Sequence, residues 1–210
     1  MVNFPASTIV DRRVPKQSFY DNISISPGLK RAFVDQISLI IWRNKLAEST
    51  LTISAGKDIH EIQIFELQLR QKELDRRVLT AIAGAIPYKI VFVLVFDGQA
   101  QAWMEVCGTF YCGDWQPLEG FTLKLEGLNL DMVYANMARQ ISGGRLGSEG
   151  DIAGAVERDK RRQKLERAIV ALEKKVVGER QFNRQMELNR DLKCLKAEME
   201  EQNEQNHKEI

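Results

Sequence analysis

The chain has 210 residues, 44% of them hydrophobic and 28% charged, with a formal net charge of +1. That length suits one domain plus an extension, and the composition is that of an ordinary globular protein, not of a disordered or bilayer-filling chain. A balance so near zero argues neither for nor against nucleic acid, so charge has to be read locally. The longest apolar run, Ile90–Phe96, is seven residues and too short to cross a bilayer as a helix. Met1–Pro5 has no charged region leading into an apolar stretch, so no secretory signal is expected. Three cysteines, an odd number, give no sign of an oxidising compartment. The expectation is a cytoplasmic protein with reduced thiols and no membrane contact.

In chain order, Asp11–Tyr20 is polar with one aromatic pair and reads as a segment lying over the core, with a helical turn near Phe19. Ser26-Pro27 has the form of a helix start, a serine cap followed by proline at the first helical position. Leu29, Phe33, Ile37, Ile40, Ile41 and Leu46 then recur at helical spacing, which predicts a helix through Ala47. A short strand is expected at Leu51–Ile53, a turn at Ala55–Asp58, and a long strand from Ile59 to Arg70. In that strand Glu61, Gln63, Phe65, Leu67 and Leu69 share one side, with Ile62, Ile64, Glu66, Gln68 and Arg70 on the other. Lys72–Ala85 reads as a helix ended by Pro87, and Lys89–Phe96 as a buried strand. Strand, helix and apolar strand make a βαβ unit with a parallel pair. Asp97-Gly98 is a hairpin signal, returning the chain through Ala100–Cys107. Further strands are expected at Phe110–Cys112 and Phe121–Leu125, and Asn129 caps a helix bearing Leu130, Val133, Met137 and Ile141. The prediction is an α/β or α+β body with a mixed sheet of about five strands, a βαβ unit and flanking helices.

From Asp151 onward the chain changes character, with no proline and one aromatic, Phe182. A glycine-studded joint, Ser142–Gly150, precedes it. The expected organisation is a body over 1–141, a Gly-rich linker over 142–154, a helical or coiled-coil arm over 155–205 and a disordered tail over 206–210. Leu165, Ile169, Leu172 and Val176 form one two-heptad seam, and Leu188, Leu192, Leu195 and Met199 a second. The seams do not share a phase, and Gly178 lies between them, so either one helix with a stutter or a helical hairpin fits. Neither run is long enough to stand alone, so these eight residues are the candidate partner-binding surface, for a second copy or a larger protein. Arg158–Arg167 holds six bases against two acids, which makes Arg158, Lys160, Arg161, Arg162, Lys164 and Arg167 the candidate phosphate contacts for DNA. Over Glu157–Ile210, however, twelve acids nearly balance fourteen bases, as on an ordinary solvated helix.

The most chemical stretch of the body is Ile64–Arg70, with Asp58 before it and Lys72 after. The order of elements around it is similar to that of restriction-endonuclease-like cores, in which an acidic residue and an E-x-K pair bind Mg²⁺ and orient water. Here Glu66 and Gln68 share a strand face, but Gln stands in place of Lys. The alternative reading that follows is a metal-dependent or degenerate nuclease centred on Glu66. Asp58 or Glu61 would be its co-ligand, and Lys72 or Arg70 its cation. The same residues also read as the solvated end of a half-buried strand. Cys107 and Cys112 lack the second ligand pair that zinc needs, no phosphate loop or G-x-G-x-x-G is present, and no cofactor is expected beyond that magnesium.

As a set, Ile40–Leu46, Glu61–Glu66, Ala85–Tyr88, Gly127–Leu130 and Arg180–Arg184 resemble the bacterial domain of unknown function 4391 family over nearly the whole chain. The resemblance transfers no catalytic residue. It implies an accessory subunit, because members are similar to small proteins encoded beside helicases and DNA methyltransferases in restriction-like, anti-phage loci. The leading expectation is therefore a non-catalytic adaptor of a prokaryotic defence complex, docking a helicase or methyltransferase through its arm. The alternatives are the nuclease above and a DNA-binding homodimer.

Overall fold

A computed structural model describes residues 4–20, 25–148 and 150–208. The chain divides into two compact units, Met1–Gly144 and Arg145–Ile210. The first is a mixed α/β unit built on one seven-stranded sheet. Its strands are β1 (Ile9–Arg13), β2 (Ile37–Ala47), β3 (Glu61–Leu69), β4 (Lys89–Phe96), β5 (Gln99–Val106), β6 (Thr109–Cys112) and β7 (Gln116–Pro117). Spatial order follows chain order from β1 to β6, and β7 also pairs with β5. β3 and β4 run parallel, and every other pair among the described residues is antiparallel. A parallel pair needs a crossover, here α3 (Arg76–Ala85), as the βαβ reading of the sequence expects.

Strand registry places Trp42, Phe65, Phe92 and Trp103 in one row across four strands. Phe19 of α1 (Gln17–Tyr20), Phe33 of α2 (Pro27–Gln36) and Val78, Leu79 and Ile82 of α3 join the core on this face. The opposite face buries Leu46, Ile62, Ile64, Val91 and Met104. Against it packs α4 (Leu130–Ile141), whose Leu130, Val133 and Met137 are fully buried. Covered on both sides, β4 can be apolar at successive positions. Each such buried side chain contributes about 1.5–3 kcal/mol of transfer free energy.

The helix expected to run through Ala47 ends at Gln36, and Ile37–Ala47 is strand β2. Two bulges explain the misleading period. Ile37 and Leu39 face the adjacent pair Leu69 and Gln68, and Trp42 and Asn44 face Phe65 and Ile64. Each extra residue resets the alternation, so buried positions fall at 37, 40, 41, 44, 46 and 47, three- and four-residue steps that imitate a helix. Its β-branched and aromatic residues suit the sheet. Leu51–Ile53 is not a strand: the chain turns there, with the Thr50 and Leu51 N–H groups donating to the Ala47 carbonyl. β1, within the stretch read as polar cover, is an addition. Phe121–Leu125 is also not a strand, because the Gln140 side-chain amide satisfies both the N–H and the C=O of Lys124 in place of a neighbouring strand. α3 starts at Arg76, not at Lys72, where the Asp75 carboxylate accepts from the Arg77 N–H as its cap.

Two two-residue hairpins follow β4 and β5. Asp97-Gly98 (φ 46° and 70°) and Cys107-Gly108 (φ 47° and 73°) both have the positive φ pair of a type I′ turn. Ahead of β3, the turn at 56–59 is clamped from α4: the Asp131 carboxylate accepts the backbone N–H groups of Lys57, Asp58 and Ile59 at 2.7, 3.3 and 2.9 Å. Gly56 is required beside it, since a Cβ there would lie 2.1 Å from Asp131 Oδ1.

The second unit holds α5 (Ile152–Gly178) and α6 (Phe182–Lys208). Glu179–Gln181 joins them, and Glu179 Oε1 accepts the N–H groups of Arg180 and Gln181. Lys196 of α6 pairs with Glu173 of α5 at 2.8 Å, so α6 folds back on α5; of the two arrangements open to the sequence, the hairpin is the one formed. α5 begins at Ile152, inside the span read as linker, because Asp151 caps it through the Gly154 N–H. α6 reaches Lys208, through most of the span read as a disordered tail; residues 209–210 of that tail lie outside the described residues.

Asp131→Ala removes the shared acceptor of three backbone donors, and the expected loss is about 1–3 kcal/mol of unfolding free energy with an unchanged denaturant slope. Urea titration of the variant measures it. Gly56→Ala is expected to destabilise through the same contact, and much less so in the Asp131→Ala background.

Candidate functional site

Glu66 sits in mid-β3 and is 7% exposed. A carboxylate taken out of water needs a counter-charge and hydrogen bonds. Arg43 provides both: Nε and Nη2 donate to Glu66 Oε2 and Oε1 at 2.8 and 3.0 Å, the bidentate fork that guanidinium and carboxylate favour. Gln68 Nε2 donates to Glu66 Oε1 at 3.0 Å, and Arg43 Nη1 donates to Asp11 Oδ1 at 2.8 Å. Hydrogen bonding to Glu66, and then to Asp11, holds the Arg43 guanidinium further above its already high range.

Irregularities in two adjacent strands bring these groups together. Arg43 is the extra residue between Trp42 and Asn44 of β2. Asp11 lies between Ile9 and Arg12 of β1, where registry also shifts, and has φ 47°. A non-glycine residue in that region costs on the order of 1 kcal/mol. The two bulges re-aim one side chain each onto the Glu66 face. Behind Arg43, Asn44 Nδ2 donates to Thr8 Oγ1, which donates to the Pro5 carbonyl.

The charged triad lines a cavity of about 280 Å³, together with Asn44. Its apolar walls are Phe4, Ile9, Ile64, Val93, Leu118 and Phe121.

Of the residues read as a nuclease site, Glu66 and Gln68 share this face. Asp58 lies in the turn before β3 and Lys72 beyond its end, against Trp115. Nine residues of strand separate them by roughly 30 Å, so a co-ligand at Asp58 and a cation at Lys72 cannot share one site. Glu61 is engaged by Lys45 at 2.9 Å and by Gln63, and Arg70 donates to the Ile37 carbonyl. Both Glu66 oxygens accept from a guanidinium, and no group of three metal-ligating side chains occurs among the described residues. The donor set does not fit the magnesium ion of the nuclease reading. The sequence pattern assigns Asp11 and Arg43 no role in a site. Arg43 falls on the polar side of an imagined helix, and the one available signal was a charge within the β-branched run Ile37–Ala47.

On the arm, Leu165 and Ile169 are buried, while Leu172, Val176, Leu188, Leu192, Leu195 and Met199 are half-buried. Beyond the seams, Val170, Val177, Phe182 and Met186 are 50%, 85%, 72% and 57% exposed. The basic run is partly self-neutralised. Lys160 pairs with Glu157, Arg162 with Asp159 and Glu166, and Arg167 donates to the Gln163 carbonyl, while Arg158, Arg161 and Lys164 are not among these pairs.

Fold and site together define an α/β protein with an ion-paired polar cavity, and a helical hairpin as its second unit. No helix among the described residues is long and apolar enough to cross a membrane. Residues 2–199 match the family described as a domain of unknown function (DUF4391), and the chain belongs to that family. No curated protein and no solved structure matches it.

Removing one member of a buried ion pair strands the other. Arg43→Met is therefore expected to destabilise by about 3 kcal/mol, and the further change Glu66→Leu to recover most of that loss. A double-mutant cycle in urea measures the coupling; additive effects would contradict it.

Proposed function

We propose that this chain is a non-catalytic docking subunit whose helical hairpin holds a larger protein partner. The observation that carries this reading is the apolar surface left on the hairpin. Two helices packed on one another still leave six of eight seam residues half-exposed, and Val177, Phe182 and Met186 more exposed still. Helices of this length draw their stability from packing of an apolar face, and contiguous exposed apolar surface marks contact sites. Self-pairing of Lys160 and Arg162 with acids weakens the case for DNA as the main ligand, and the commitment of Glu66 to Arg43 weakens the case for a nuclease. The family resemblance supplies the partner class, a helicase or DNA methyltransferase of a restriction-like defence assembly.

The test is affinity capture of the tagged chain from its native host, with mass and nucleic-acid content read on the same sample. A stoichiometric large partner is expected. Val177→Ser with Phe182→Ser, both well exposed, should weaken capture by about tenfold or more at unchanged helicity, and Leu192→Asp with Leu195→Asp should abolish it. A partner retained by both variants, or a chain recovered only with copies of itself, would overturn the reading.

A further inference from the structure

The cavity over Arg43 is lined by polar groups whose hydrogen-bonding capacity is only partly used. A guanidinium has five N–H donors, and Arg43 gives one each from Nε, Nη1 and Nη2 to Glu66 and Asp11, so two remain. Among the described residues, Glu66 Oε2 accepts a single hydrogen bond and Asp11 accepts at Oδ1 and not at Oδ2. All three residues line the cavity, so it presents donors beside acceptors on a common floor. The surroundings are apolar, with an aromatic ring from each of two chain segments, Phe4 and Phe121. A few placed polar groups within apolar walls is the usual make-up of a small-molecule site, and about 280 Å³ lies just below the usual range, which limits the occupant to something small.

The charge narrows the ligand. Two carboxylates against one guanidinium leave the floor net negative, which repels phosphate and carboxylate groups. The guanidinium already holds the place between the carboxylates that a metal ion would need. What fits is an uncharged flat ring bearing a hydrogen-bond acceptor next to a donor. Arg pairs with ring nitrogen and carbonyl acceptors, and carboxylates pair with exocyclic amino groups, while aromatic walls take the ring faces.

We infer that this cavity binds a single nucleobase through Arg43, Glu66 and Asp11. The base can come from a free nucleoside or from an unpaired position in a strand.

Adenosine, guanosine, cytidine and thymidine, their 5′-monophosphates, and ten-nucleotide single strands of each base would be titrated into the full-length protein by calorimetry. At least one nucleoside or strand is expected to bind. A base that binds as a nucleoside should bind no tighter as its monophosphate. Nucleoside binding assigns the free source, and binding by strands alone assigns the unpaired base. Arg43→Lys keeps the charge but loses the fork, and should weaken binding by about tenfold. Ile9→Trp fills the cavity from a rim position that is 53% exposed, leaves the ion triad in place, and should block binding. No binding by any probe, tighter binding of monophosphates than nucleosides, displacement by magnesium chloride, or binding that survives both variants would each overturn the assignment.

Discussion

The body is organised around the need to neutralise one buried carboxylate. Glu66 stands between Ile41 of β2 and Val93 of the apolar β4 strand, where an unpaired charge would cost several kcal/mol. Arg43 can reach it because β2 carries an extra residue at that point. Arg43 then holds Asp11, which sits in the irregular stretch of β1 with a left-handed backbone. One charge in mid-sheet thus accounts for two bulges, a strained aspartate and the course of the outermost strand. Stability does not explain the arrangement, since a well-packed apolar pair would serve a sheet as well or better. The triad opens on a cavity, and it keeps polar valences there that packing does not use.

What was legible in the sequence is what local chemistry decides. The unit from Glu61 to Phe96 could be read as strand, helix and parallel strand, apart from the start of α3. β3 is a run of β-formers whose polar residues change face after Ile64, α3 has one apolar stripe, and β4 is apolar on both faces because helices cover both. Asp97-Gly98 and Asn129 each carry their turn or cap in their own side chains. β2 was not legible, because bulges convert a two-residue period into steps of three and four. The signal was present in its β-branched composition but lost to the period. Asp11 and Arg43 were hidden for the same reason: bulges are a property of two strands together, and neither sequence announces one. The missing strand at 121–125 is a related case, since a glutamine on a helix distant in sequence does the work of a strand.

The arm was legible in a different way. Its seams and its break at Gly178 follow from heptad spacing and from the cost of glycine in a helix. Whether the break bends the chain back depends on what the second helix gains. Here it gains contact with α5 and the Lys196–Glu173 pair, and Glu179 fixes the joint through the Arg180 and Gln181 N–H groups. The earlier start at Ile152 follows from a single aspartate, which the glycine-rich context obscured.

The two kinds of surface differ in what they can recognise. On α5, acids spaced three and four residues from bases absorb much of the positive charge within the helix itself. Such a surface exerts little long-range pull on a polyanion, and ion pairs that are already made gain little by exchanging partners. The free energy available to the hairpin therefore lies in its uncovered apolar side chains, whose burial is insensitive to salt and indifferent to sequence in a nucleic acid. Selection by an arm of this kind works through shape, through how well a partner's surface takes Val177, Phe182 and Met186 and closes the half-open seam. The body's cavity selects by directed hydrogen bonds instead. In the proposed reading, then, the apolar contact holds the chain to its partner and the polar cavity takes the base.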